Sequence, residues 1–173
     1  MRTIVMTIAA AIALGLGLAC SVYSQEAAKP TQATFLINGL HCPPCTNTVQ
    51  SSLARVKGVK SVAVDWNTKH AKIQFDESVL PAQALASAIE RTPHMMGAGM
   101  RYGGWLALSV PSITDDATGK KVKDALGKVE GVKSAAVYPA QHKAAVLFAG
   151  NGTMSSRQVI DALAKEGIEA TTY

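Results

Sequence analysis

Apolar residues recur along the chain with two spacings, one typical of strands and one typical of helices. The alternate apolar positions Phe35 and Ile37 predict a half-buried strand. The spacing of Val49, Leu53 and Val56 predicts an amphipathic helix. The same succession of patterns occurs twice along the chain. Each copy predicts the order strand, helix, strand, strand, helix, strand.

The two copies are related by an internal repeat with an offset of 73 residues. The segment Val56–Val64 recurs as Val129–Val137, and the same register aligns Phe35 with Leu108. The repeat predicts an α+β fold of two tandem ferredoxin-like βαββαβ units, with helices on one face of an antiparallel sheet.

An export signal is predicted ahead of the repeat. Arg2 is its only charge, an almost wholly apolar run follows, and small residues before a cut after Ser24 suit a signal peptidase. Two alternatives are lipidation at Cys20 and retention as an uncleaved anchor. All three predict a periplasmic or secreted protein. The predicted signal, flexible lead-in, first copy and degenerate second copy occupy residues 1–24, 25–33, 34–102 and 105–173, so that only Gly103 and Gly104 separate the copies.

The overall charge does not favour a nucleic-acid partner. The formal net charge is +5, the lysines are scattered, and aromatic residues make up 5% of the chain. Proteins that bind nucleic acid usually concentrate basic residues in one patch, often with aromatic residues among them. A slightly basic face that meets a more acidic protein partner fits this composition better.

The candidate chemistry lies in the segment Gly39–Cys45, where two prolines separate two cysteines. Two thiols at this spacing can hold one metal ion or close a disulfide. The prolines keep Cys42 extended and start a helix near Pro44, which puts Cys45 in the first helical turn. The helix dipole there favours a thiolate. We therefore expect an exposed dithiol of low pKa at a strand-to-helix junction.

This motif and topology together resemble the heavy-metal-associated domain family, which includes soft-metal chaperones, copper-ATPase N-terminal regions and a periplasmic mercury-binding protein. Gly39–Cys45 corresponds to the family's Gly-Met-x-Cys-x-x-Cys, with Leu40 in place of the usual methionine and a less usual pair of prolines. The resemblance covers the first copy well and the second only in its framework. The matching framework residues of the first copy are Leu53, Val56, Gly58, Val59 and Val62–Val64.

The softness of two thiolates favours Cu(I) or Hg(II), which accept two nearly linear sulfur ligands. Zn(II) is less favoured because a structural zinc site needs four ligands. The interpretation is a carrier that holds one soft ion per chain at Cys42 and Cys45. It would pass the ion to a metal-transporting membrane protein or another carrier, and it is not expected to be an enzyme.

Five further residues are candidates for an auxiliary ligand. We call the segment Gly39–Cys45 the metal loop. His94, Met95 and Met96 belong to a loop that lies beside it in this fold, and His41 adjoins Cys42. Met100 is a further candidate. Methionine side chains also fill gaps in cores, and His41 could tune the loop without binding an ion.

The second copy has other residues where the repeat places the thiols. Asp115 aligns with Cys42 and Thr118 with Cys45. Thr114 as a helix cap followed by acidic residues explains this segment without a metal ion. The second copy is then a scaffold or a docking surface.

Two other histidines, His70 and His142, lie at or beside the predicted hairpin turns. We expect these turns at the far end of each unit from the metal loop. We therefore predict that both histidines have solvated side chains and no role in metal binding.

Two alternative functions use the same features. A Cys-Pro-Pro-Cys pair at a helix start in an exported protein also resembles a periplasmic thiol-disulfide oxidoreductase. Against it, no tryptophan precedes Cys42 and the repeat predicts a different fold. The other alternative is an exported protein-interaction module whose dithiol is incidental.

Overall fold

The computed structural model describes residues 31–173, and the predicted signal and lipidation site lie outside this range. The helices and strands follow one another in the predicted order, except that one strand stands where the last strand of the first copy and the first strand of the second copy were expected. The elements are β1 (Thr31–Asn38), α1 (Pro43–Ala54), β2 (Val59–Val64), β3 (His70–Phe75), α2 (Ala82–Arg91), β4 (Gly103–Ser109), α3 (Asp116–Gly127), β5 (Val132–Tyr138), β6 (Lys143–Phe148), α4 (Ser156–Lys165) and β7 (Thr171–Thr172).

All the strands join one antiparallel sheet in the order β2-β3-β1-β4-β6-β5, and β7 also pairs with β4. Alternate strand residues such as Phe35 and Ile73 are fully buried, and they share one core with residues of all four helices. The helices therefore cover one face of the sheet. The predicted α+β class, with an antiparallel sheet and helices on one face, is confirmed.

Strand β4 serves both units. It pairs with β1 on one edge and with β6 on the other, so it ends one βαββαβ sequence and begins the next. We expected Gly103 and Gly104 to separate two strands, and this was wrong, because both glycines lie within β4. A Cβ atom on Gly104 would lie 2.7 Å from Cδ1 of Ile89, so glycine lets α2 pack closely on the shared strand. We call residues 31–109 the first unit and residues 103–173 the second unit.

The last strand of the second unit is short because β1 occupies most of the same edge of β4. Strand β1 pairs with β4 up to Ala107, and β7 pairs only with Leu108 and Ser109. The Thr34 hydroxyl donates a hydrogen bond to the Tyr173 carbonyl oxygen, at 2.6 Å. The chain end is thereby fastened to the first unit. Strand β1 also begins at Thr31, within the stretch expected to be a flexible lead-in.

Helix α2 of the first unit also forms hydrogen bonds with the loop between β6 and α4 of the second unit. The buried side chain of Gln83 donates from Nε2 to the Ala149 carbonyl (2.9 Å) and accepts at Oε1 from the Met154 N–H (3.1 Å). Ser87 donates to the Gly150 carbonyl at 3.1 Å. The units are thus joined both through β4 and through the α2 contacts.

Both hairpin turns lie at the end of their unit where its first helix begins, so the expected far-end position was wrong. The Ile37 N–H donates to the Lys69 carbonyl (2.8 Å), and the Val110 N–H donates to the His142 carbonyl (2.8 Å). The reason is the path of the chain. A strand leads toward this end, the helix leads away from it, and the next strand returns to it.

The side chain of His70 differs from the solvated histidine that we expected, whereas His142 is exposed as expected. The Nε2 atom of His70 is buried and has no hydrogen-bond partner among residues 31–173. Burial, followed by the nearby charge of Lys143, lowers the pKa of His70 below its usual value. Nδ1 of His142 lies 2.7 Å from the Ile113 carbonyl oxygen. The His70 ring lies near that of Tyr173 in the second unit, with centroids 5.7 Å apart, whereas His142 contacts its own unit.

Candidate metal centre

The two cysteines of the motif lie at the junction of β1 and α1, and they form a disulfide. Their Cα atoms are 5.3 Å apart. Cys42 is extended (φ −149°, ψ 150°) and immediately precedes a helix whose first two residues are the prolines. The Cys45 N–H donates to the Cys42 carbonyl at 3.0 Å, in the first turn. The predicted backbone is confirmed, and the two sulfurs are close enough to share one ion once the bond is reduced.

The exposure of the pair differs from the prediction. Cys45 is fully buried, whereas Cys42 is half-buried. Cys45 lies one turn before Val49 and two turns before Leu53, on the face of α1 that packs against the core. The expectation of two exposed thiols was therefore wrong for Cys45, and a partner in solution reaches the pair from the Cys42 side.

The loop before the cysteines has a backbone that requires glycine. Gly39 has φ of +87°, and a Cβ atom there would lie 2.6 Å from the Arg101 carbonyl oxygen. Leu40 follows with its side chain buried in the core, at the position where the family usually has methionine. The metal loop is thus held tightly between the core and the segment before β4.

His94 joins the metal loop to the α2–β4 loop. Its Nδ1 lies 3.2 Å from the Met96 N–H and accepts a hydrogen bond from it, so Nε2 carries the proton and donates to the Gly39 carbonyl at 2.9 Å. The ring is 9% exposed and lies against that of Tyr102, with centroids 4.4 Å apart. Both ring nitrogens are therefore engaged within the protein. The arrangement favours a structural role for His94 over an auxiliary ligand.

The other auxiliary candidates lie at the surface near the pair. His41 is exposed, with its ring centroid 5.7 Å from that of His94. Met95 and Met96 are 55% and 61% exposed. Within residues 31–173, no three side chains of histidine, cysteine, aspartate or glutamate converge to hold a metal ion. The donor set at the junction is thus two sulfurs, with thioethers in the neighbouring loop.

The sequence prediction missed the contact between His94 and Gly39, and also the buried ring of Tyr102. Glycine before a Cys-x-x-Cys motif is a signal for a constrained turn, but nothing local indicates which side chain binds its carbonyl oxygen. The Tyr102 hydroxyl is buried without a hydrogen-bond partner in the described part of the chain.

Comparison with known proteins agrees with the motif. The model of the heavy-metal-associated domain matches residues 34–94. The copper chaperone CopZ of Staphylococcus epidermidis is 32% identical over 60 residues, which cover 35% of this chain and 88% of CopZ. The chain belongs to the heavy-metal-associated domain family.

A longer relative and two solved structures are less similar in sequence. Copper-transporting ATPase 2 of Mus musculus is 25% identical over 133 residues, which cover 65% of this chain but only 9% of the ATPase. Oxidised MerP of Ralstonia metallidurans CH34 is 24% identical, covers 45% of this chain and 97% of MerP, and has a TM-score of 0.39. The soluble region of CopA from Bacillus subtilis is 20% identical, covers 84% of this chain and 92% of that chain, and has a TM-score of 0.41.

The second unit has a helix cap at the positions where the first unit has the cysteines. Asp115 is the extended residue before α3 (φ −151°, ψ 179°), and its carboxylate accepts from the Thr118 N–H at 2.8 Å. The Thr118 hydroxyl accepts from the Asp115 N–H at 3.1 Å. The Thr118 backbone hydrogen bond is the main reason that the pKa of Asp115 is lowered. The capping interpretation is confirmed, but Asp115 is the cap and Thr114 precedes it.

In the part of the chain that the structure describes, no helix combines the length and apolar character needed to cross a bilayer.

Proposed function

We propose that the protein carries one soft metal ion between the sulfurs of Cys42 and Cys45 and passes it to a partner. The observation that carries the proposal is that both sulfurs meet at a helix N-terminus in a member of the heavy-metal-associated domain family. Two sulfurs, with no third carboxylate or imidazole converging on them among residues 31–173, suit an ion that prefers low coordination by soft donors.

The disulfide is the closed form of this site. Opening it takes two electrons and two protons from a reductant such as a small thiol, and yields two thiols. Binding of the ion then displaces their protons, so we expect affinity to rise with pH until both thiols are ionised. The N-terminus of α1 assists because its free N–H groups and dipole stabilise a thiolate.

The two cysteines differ in exposure, and this difference determines the side from which a partner can take the metal ion. Cys45 lies inside the fold and Cys42 lies at its edge, so the thiolate of a partner reaches the ion from the Cys42 side. Transfer then proceeds by exchange of sulfur ligands, with Cys45 as the inner ligand throughout. This arrangement favours delivery over permanent storage.

Cu(I) is the ion we favour, with Hg(II) second and Zn(II) third. The names of the relatives support copper, since one is a copper chaperone and another a copper-transporting ATPase. The same names support a metal-transporting membrane protein as the partner. Because the chain spans 9% of that ATPase, no transport activity follows for the chain itself. A periplasmic or secreted location remains a proposal that rests on the signal predicted at residues 1–24.

The proposal is tested by titrating the reduced protein with Cu(I) and with Hg(II) against a competing chelator. We expect the wild type to hold one ion per chain against the chelator, and Cys42→Ser to lose that ion. Asp115→Ser is the matched control, because Asp115 occupies the equivalent position in the second unit and serine also caps helices. Equal binding by the wild type and Cys42→Ser would refute the carrier function.

The disulfide itself favours a second candidate, a thiol-disulfide oxidoreductase in which partly exposed Cys42 attacks and buried Cys45 resolves. An insulin-reduction assay separates the two functions. We expect the wild type to be no faster than Cys42→Ser, since the protein is not expected to be an enzyme. Faster turnover by the wild type would favour the oxidoreductase. The interaction-module alternative predicts partner capture that persists in Cys42→Ser.

A further inference from the structure

Three exposed methionines lie in the short loop between α2 and β4. Met95, Met96 and Met100 are 55%, 61% and 38% exposed, and the whole chain contains six methionines. Methionine is among the residue types most often buried, so three at the surface within six positions need an explanation. The fourth methionine of the described residues, Met154, packs against the core instead.

The backbone of this loop makes two successive turns, which keep the three methionines close along the chain. The Gly97 N–H donates to the His94 carbonyl (3.3 Å), and the Met100 N–H donates to the Gly97 carbonyl (3.2 Å). Gly97 has φ of +119°, a left-handed conformation between the two turns. Met95 and Met96 therefore lie within the first turn, and Met100 ends the second.

The loop is also fixed against the metal loop. His94 donates a hydrogen bond to the Gly39 carbonyl and accepts one from the Met96 N–H. The His94 ring thus links Met96 to the first residue of the cysteine motif. Since both nitrogens of His94 are used in this way, the thioether sulfurs are the soft donors that the loop presents to solvent.

Thioethers and thiolates respond differently to oxidation. The disulfide removes Cys42 and Cys45 as ligands, whereas a thioether needs no deprotonation and forms no disulfide. Soft thioethers select monovalent Cu(I) and have little affinity for harder ions such as Zn(II). A thioether group can thus hold a soft monovalent ion while the dithiol is closed.

We infer that Met95, Met96 and Met100 form a second soft-metal site, which binds Cu(I) or Ag(I) whether the dithiol is open or closed. The site is neutral and open to solvent, and it lies beside the cysteine motif. An ion captured there under oxidising conditions is available to the dithiol after reduction. This site does not depend on metal binding by the cysteines, so either can exist without the other.

The test uses the full chain with Cys20→Ser and with the disulfide formed, so that no free thiol remains. Ag(I) is the probe, because it is soft, monovalent and stable in air. Methionine methyl resonances report the binding. We expect Ag(I) to shift the signals of Met95, Met96 and Met100 and to leave Met154 unchanged, while Zn(II) shifts none. Unchanged signals for all three loop methionines would overturn the inference.

Affinity provides the second measurement. Replacing the three loop methionines with leucine preserves apolar character and approximate volume, and we expect Ag(I) binding at least about tenfold weaker. Met154→Leu is the matched control and should bind like the parent. If the triple variant also binds like the parent, the methionines form only an apolar contact surface and the inference fails. A chain with all three cysteines replaced by serine should give the same results, whatever the outcome for the dithiol.

Discussion

The two units begin their first helices with the same backbone and different chemistry. Cys42 and Asp115 are both extended residues ahead of a helix, and Cys45 and Thr118 both lie in the first turn. In the second unit the side chains cap the helix reciprocally. In the first unit no side chain caps the helix, and the two residues are joined by a disulfide.

The first unit therefore lacks the side-chain cap that stabilises the start of the corresponding helix in the second unit. A side-chain cap satisfies backbone N–H groups that a helix start otherwise leaves without partners. Sulfur is a weak hydrogen-bond acceptor, so cysteines at these positions leave the N–H groups and the helix dipole available to a thiolate. The second unit keeps the stabilising cap and has no sulfur ligand at this junction.

The largest effect is expected when the first helix start is given the residues of the second. The double variant Cys42→Asp with Cys45→Thr should lose soft-ion binding at the junction by at least about a thousandfold, roughly 4 kcal/mol. Competition for Cu(I) on the reduced proteins measures the loss. Retained affinity would mean that the ion binds elsewhere, and the loop methionines would then be the first place to test.

A smaller effect is expected at the glycine before the motif. The repeat aligns Gly39 with Ser112, which has no left-handed backbone. Gly39→Ser should destabilise the fold by about 2–3 kcal/mol, because a left-handed φ and contact with the Arg101 carbonyl both oppose a side chain. Urea unfolding measures the change.

Gly97→Ser is the control for this experiment. Gly97 also has a positive φ, but a Cβ atom at this position would meet nothing within 4 Å. We expect Gly97→Ser to lower the free energy of unfolding by about 1 kcal/mol, through the backbone conformation alone. If both variants lose the same free energy of unfolding, the close approach of Arg101 to Gly39 contributes nothing.

The smallest effect concerns the cap of the second unit. Asp115→Ala removes the side-chain acceptor for the Thr118 N–H and should lower the melting temperature by about 2–4 °C at neutral pH. Since the folded pKa of Asp115 is lowered, its contribution is present above the unfolded pKa and is lost as pH falls through the folded value. The difference between the wild type and the variant should therefore shrink below about pH 4. A constant difference down to low pH would contradict the carboxylate cap.

Much of the candidate site followed from local patterns. The prolines predicted an extended Cys42 and a helix that includes Cys45, and the structure has both. The burial of Cys45 did not follow, because it depends on how α1 is rotated against the sheet. The hydrogen bond from His94 to Gly39 joins residues 55 positions apart, and no local pattern indicates it.

The sequence alone determined the order of strands and helices, the repeat and the place of the two sulfurs, because periodicity and proline geometry act over a few residues. Only the tertiary structure decided that β4 serves both units and that one sulfur is buried. Strand edges choose partners across the whole chain, and side-chain exposure depends on the elements packed around it. Local residue preferences contain neither kind of information.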